Sequence, residues 1–167
     1  QATSPYAHTK QIGEMMIRDY CKAYPDFNSV SLRYFNPVGA HLTSRIGELP
    51  IGPPTSLVPI ITRTAIGIIP KMFVHGNNYS TRDGSCVRDY IHVTDIADAH
   101  IKAVEKNCYG VYNLGSKHGY SNLEIIEAVG KPYDVVSRRE GDIDYLVANN
   151  TAAYIDLEWE PTFTLTG

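Results

Sequence analysis

Cysteine is scarce in this 167-residue chain, and the three present, Cys21, Cys86 and Cys108, are too far apart for a CxxC pair. An odd, scattered set excludes a disulfide scaffold and predicts reduced thiols in a cytoplasmic setting. Neither sign of charge dominates: 15 Lys and Arg stand against 18 Asp and Glu, a net charge of -3. That balance gives no footprint for nucleic acid or for an anionic membrane surface. No apolar run approaches the roughly 20 residues of a spanning helix, and the N-terminus lacks a basic-then-apolar leader pattern. The six histidines (His8, His41, His75, His92, His100, His118) show no metal-ligand spacing, so no metal site is expected. Repeats and low-complexity tracts are missing too. Tryptophan occurs once, at Trp159, where a core role is expected, whereas tyrosine occurs 12 times, mostly at strand-like or core-like positions.

What remains is an ordinary globular composition, 43% hydrophobic and 20% charged, long enough for one core. Ile12, Met15, Met16, Tyr20 and Ala23 fall close to the stripe of an amphipathic helix over residues 8–23, closed by Pro25 and Asp26. Ser29 to Tyr34 alternates like a strand. Residues 36–56, rich in proline and glycine, read as a long functional loop. A helix is predicted over 57–69, a short strand over 72–74, and a second alternating strand over 87–93. Thr94 is the expected N-cap of a helix running to about Glu105, with Asp95 and Asp98 in its first turn. Val111 to Leu114 reads as a strand. Ser121 and Glu124 form a capping box ahead of Ile125 and Ile126, in a helix that stops at Gly130.

Chemistry enters at Tyr6 and Lys10, four residues apart and so on one face if helical. A lysine ammonium beside a phenol favours the phenolate, which makes the tyrosine a usable general base. The pair alone reads better as a solvated helix face than as an active site. Further along come Arg33-Tyr34-Phe35-Asn36-Pro37-Val38-Gly39-Ala40-His41, Val87-Arg88-Asp89-Tyr90-Ile91-His92-Val93, Tyr112-Asn113-Leu114-Gly115 and Arg138-Arg139-Glu140-Gly141-Asp142. In this order they resemble the UDP-glucose 4-epimerase family, within the extended short-chain dehydrogenase/reductases. The resemblance is collinear over nearly the whole chain. It begins in the middle of the family's pattern, and the glycine-rich turn opening the family's cofactor domain has no counterpart here. A longer protein, with an upstream half of roughly a domain's size, is therefore expected.

The resemblance implies an α/β fold: the C-terminal part of a Rossmann-like NAD-binding domain over residues 1–36, then a mainly UDP-sugar-binding domain over 37–167, with some segments returning to the first. It implies that Tyr6 takes a proton from the sugar 4-hydroxyl, that Lys10 holds the nicotinamide ribose of NAD, and that Phe35 touches the cofactor through its backbone. It places Asn36, Ser56, Leu57, Phe73, Val74, His75, Arg88, Arg139 and Leu146 around the UDP-sugar. A residue at the C-terminal end of a strand faces the ligand crevice of an open α/β sheet, although Asn36-Pro37 also reads as a plain turn. Arginine forks suit a diphosphate, although a surface salt bridge is the other reading of Arg88 and Arg139. A helix opening at Ser56 and Leu57 offers free amides to an oxygen ligand. His75 stands where the family often has an aromatic ring beside uracil. Leu146 aligns with the gate of the hexose pocket, with a slip onto Tyr145 possible, and leucine is intermediate between the bulky and small gates that set acceptance of N-acetylated sugars. Arg138 is left open, because neighbours on a strand point oppositely.

The expected activity is NAD-dependent interconversion of UDP-galactose and UDP-glucose through a 4-keto intermediate, by a homodimer when full length. Two alternatives are carried: another nucleotide-sugar enzyme of the same superfamily, such as a dehydratase or decarboxylase, and a non-catalytic nucleotide-sugar-binding remnant.

Overall fold

The structure is a computed structural model that describes residue 2 and residues 4–164. Helix α1 spans Pro5–Ala23. Ser4 caps it by accepting a 3.2 Å hydrogen bond from the Ala7 N–H, and Pro5 sits at the first helical position, where its missing N–H costs nothing. None of its residues is buried, and Ile12, Met15, Met16 and Tyr20 stay exposed. Two contacts tie α1 to the next element, strand β1 (Val30–Tyr34): a Glu14–Arg33 ion pair at 2.5 Å, and Cys21 Sγ at 3.2 Å from Ser29 Oγ just before the strand.

Strand β1 pairs in parallel with β5 (Gly110–Leu114) as a two-stranded sheet. The expected loop 36–56 is corrected at its start, because Asn36–Val38 forms strand β2. It pairs in parallel with β4 (Val87–His92), with Pro37 opposite Ile91. A proline cannot donate to a ladder, and here it sits in a three-residue edge strand with one neighbour. Strand β4 also pairs with β6 (Gly119–Ser121, antiparallel) and β8 (Tyr145–Leu146, parallel). A third sheet joins β3 (Met72–His75) to β7 (Tyr133–Val136), again in parallel. Mixed α/β architecture with parallel pairing is as expected.

The helices are α2 (Leu57–Ala65), α3 (Val93–Glu105), α4 (Asn122–Ala128) and α5 (Thr151–Leu157). Helix α2 is shorter than the expected 57–69. Helix α3 begins one residue before Thr94, and its cap is His92, whose Nδ1 accepts from the Thr94 N–H at 3.2 Å. An imidazole can do the work of a hydroxyl there. The shift leaves Asp95 in the first turn and Asp98 beyond it. The Ser121–Glu124 capping box is present, with reciprocal bonds of 3.1 and 2.8 Å, and Gly130 follows that helix at φ +63°.

Strand β4 is the shared wall between two cores. Ile91 packs with Ala99, Leu114, Leu157 and Trp159, while its neighbour Tyr90 faces the opposite way among Ile61, Met72, Val74 and Ile126. Trp159 is fully buried, and its Nε1–H donates to the Asp95 carbonyl at 2.9 Å. Two carboxylates are buried as well. Asp89 accepts from Ser116, Lys117 and Ala148; Asp95 accepts from the Thr162 and Phe163 amides. Most tyrosines take strand or core positions as expected: Tyr34, Tyr90, Tyr112, Tyr120, Tyr133 and Tyr145 lie on strands and Tyr79 is buried, although Tyr34 and Tyr145 keep exposed rings.

Candidate functional site

The parallel strands β2 and β4 end side by side, at Val38 and His92, and the chain leaves them into a loop and into α3. Beyond those ends lies a cavity of about 730 Å³, walled by Val38, Gly39, His41, Ser56, Val93 and Thr94. Gly39 adopts φ +88°, and a Cβ there would stand 2.3 Å from the His92 ring. The backbone therefore lies directly on the imidazole that caps α3, which fixes the cavity floor. This is the position at which open α/β sheets bind ligands.

Asn36 opens β2, half-buried, in register with Tyr90. Phe35 just before it donates its backbone N–H to the Leu114 carbonyl at 3.3 Å, and so stitches β2 to the β1–β5 sheet. Ser56 is an exposed N-cap without a side-chain cap bond, and Leu57 behind it packs on the second core. The free first-turn amides of α2 thus adjoin the cavity rim.

Arg88 and Leu146 are paired across β4 and β8. The Arg88 guanidinium is largely covered; it donates to the Ile143 carbonyl at 2.7 Å and lies 3.4 Å from Asp142 Oδ1. Leu146 is partly exposed and Tyr145 more so, pointing oppositely along the strand. A second group forms on β3. Phe73 is exposed and His75 half-buried, and His75 Nε2 lies 3.0 Å from Arg139 Nη2. Val74 between them is buried in the core, in register with Val135 of β7. The two groups meet through one turn, in which the Asp142 N–H donates to the Arg139 carbonyl at 3.4 Å.

Tyr6 and Lys10 do share a face of α1, with Lys10 Nζ 5.3 Å from the centre of the Tyr6 ring. Tyr6 is 71% exposed, and among the described residues no carboxylate pairs with Lys10. Nor does a hydrogen bond join this pair to the groups on β3 and β4 among those residues. Burial pushes the Tyr90 phenol up to about 12, which keeps it neutral and unsuited to base work at neutral pH. Among the described residues no cluster of three or more metal-ligating side chains occurs. Arg138, left open from sequence, stacks on Tyr79 and pairs with Asp144.

The chain is 45% identical over 171 residues to the UDP-glucose 4-epimerase of Yersinia enterocolitica, covering 98% of this chain and 51% of that protein. It superposes on the UDP-glucose 4-epimerase of Stenotrophomonas maltophila, solved with NAD and formylated UDP-arabinopyranose, with TM-score 0.93 and 41% identity, covering 99% of this chain and 52% of that one. Against the Bifidobacterium longum enzyme in complex with NAD+ and UDP the TM-score is 0.92 at 41% identity, covering 98% and 51%. The chain spans about half the length of the curated relatives it matches. Residues 1–115 match the NAD dependent epimerase/dehydratase family, and the chain belongs to that family.

Proposed function

We propose that this chain is the C-terminal half of an enzyme that interconverts UDP-galactose and UDP-glucose through a 4-keto intermediate in an NAD-dependent reaction. The observation that carries the reading is the 45% identity to a UDP-glucose 4-epimerase over nearly the whole chain. Residues 1–36 belong to the cofactor half and 37–167 mainly to the nucleotide half. The parallel pairing of β1 with β5 supports a return of the later segment to the first.

The donor set suits the nicotinamide end of NAD. Lys10 offers an ammonium without a carboxylate partner among the described residues, and Tyr6 beside it is open on its outer side. Lys10 and the Phe35 backbone would hold that end. Bound NAD supplies the hydride acceptor and donor at C4. Tyr6 takes the proton of the sugar 4-hydroxyl and later returns it, with the Lys10 ammonium beside its ring. Arg88 and Arg139 serve the diphosphate and ribose through charge-assisted forks. Asn36 and the amides of Leu57 serve the sugar nucleotide, Phe73, Val74 and His75 line uracil, and Leu146 faces the hexose.

The exposed apolar stripe of α1 supports assembly as a homodimer, since Ile12, Met15, Met16 and Tyr20 stay bare on one helix. A reducing, cytoplasmic setting belongs to the same reading, with Cys21, Cys86 and Cys108 all unpaired. A Tyr6→Phe substitution in the intact protein tests the assignment of the base. Turnover is expected to fall by about 100-fold or more, the span of general acid–base catalysis, with UDP affinity retained. A variant that keeps wild-type turnover removes Tyr6 from the mechanism.

A further inference from the structure

Arg138 precedes a residue expected to bind ligand, yet its own side chain turns away from that group. Its guanidinium carbon lies 3.7 Å from the centre of the Tyr79 ring. Its Nη2 donates to Asp144 Oδ1 at 3.0 Å, and the other Asp144 oxygen accepts from the Ser80 N–H at 3.0 Å. Gly76 closes the opposite side. It adopts φ +83°, and a Cβ there would stand 2.5 Å from Arg138 Cγ and 2.6 Å from Tyr79 Cε2. Arg138 is thus slotted between a glycine backbone and a buried aromatic ring, with an ion pair at its tip.

This geometry closes a loop. Arg138 and Asp144 join the two ends of a short segment whose interior holds Arg139 and Asp142. Arg139 reaches His75, and Asp142 reaches Arg88. The same clasp fastens that segment to the 76–80 turn, which continues directly from the β3 residues Phe73 and His75. Cation–π stacking fixes the plane of the guanidinium, and the carboxylate fixes its tip, so both ends of the segment have little freedom.

On the nucleotide-sugar reading above, we propose that Arg138 is a positioning residue: clasped by Gly76, Tyr79 and Asp144, it holds Arg139 and Asp142 in register with His75 and Arg88 for a nucleoside diphosphate. It touches no ligand itself. It acts through Arg139, and Tyr79 is its support.

Calorimetric titration of UDP into the intact protein tests this. Arg138→Ala is expected to weaken UDP binding about tenfold, a usual loss when the group behind a ligand-binding residue is removed. The double variant Arg138→Ala/Arg139→Ala is expected to bind within about twofold of Arg139→Ala alone, because residues acting as one unit are not additive. Tyr79→Leu should reproduce the Arg138→Ala loss and Tyr79→Phe should not, a split that also serves if Arg138→Ala fails to fold. Additive losses in the double variant, or a Tyr79→Leu protein of wild-type affinity, would overturn the positioning role and leave the nucleotide-sugar reading intact. An intact wild-type protein that binds no UDP would remove both.

Discussion

Replacing Asp89 challenges the strand that carries Arg88 at its most buried point. Asp89 is fully buried, and among the described residues no Lys or Arg pairs with it. Its Oδ1 accepts from the Ser116 N–H at 2.7 Å and from the Ser116 hydroxyl at 2.6 Å. Its Oδ2 accepts from the Lys117 N–H at 3.1 Å and the Ala148 N–H at 3.0 Å. Asp89→Ala therefore orphans three backbone donors. At about 1–3 kcal/mol each, and with the Ser116 and Lys117 end near water, the loss should be about 3–5 kcal/mol. That is a large share of the roughly 5–15 kcal/mol that folds a domain. Asp89→Asn keeps the shape but turns an NH2 group toward backbone N–H groups at one oxygen position, so about 2–4 kcal/mol is expected. Urea unfolding of the intact protein, followed by the emission of the single buried Trp159, measures both. A loss below about 1 kcal/mol for Asp89→Ala would refute the claim that these donors depend on the carboxylate.

Arg88→Ala should weaken UDP binding by about 1.5–3 kcal/mol, the worth of a hydrogen bond to a charged group; unchanged affinity in a UDP titration reassigns Arg88 to its contacts with Ile143 and Asp142. Leu146→Tyr should selectively disfavour N-acetylated UDP-sugars in a competition assay, and an unaltered substrate ratio moves the gate elsewhere. The hydrogen bond from Arg82 holds the Glu124 carboxyl below its ordinary 4.5. Its folded value is thus lower than its unfolded one, so its contribution is complete above that range and fades as pH falls through the folded value. The melting temperature of Glu124→Gln should accordingly fall less between about pH 5 and about pH 3 than that of the wild type, and parallel curves would count against the pair.

Local signals were the legible ones. The capping box at Ser121 and Glu124 and the periodicity of α1 depend on residues close in sequence, and both were readable directly. The cap of α3 is His92 rather than Thr94 because an imidazole acceptor can replace the hydroxyl that capping preferences favour. Asn36-Pro37 reads locally as a turn, and only the distant Tyr90–His92 segment makes it a strand. Asp89 and Asp95 look like surface charges until the amides of Ser116, Ala148, Thr162 and Phe163 arrive from far along the chain. A carboxylate at an inward position of an alternating strand was the available sign for Asp89. Arg138 was undecidable from strand alternation, since it lies past the end of β7 and is placed by Gly76 and Tyr79.

The most direct test follows the 1H NMR spectrum of UDP-galactose incubated with the intact protein and NAD. UDP-glucose resonances are expected to grow to a two-epimer equilibrium with no other sugar product. Accumulation of a 4-keto-6-deoxy or pentose nucleotide, or no reaction from a protein that binds both NAD and UDP, would contradict it.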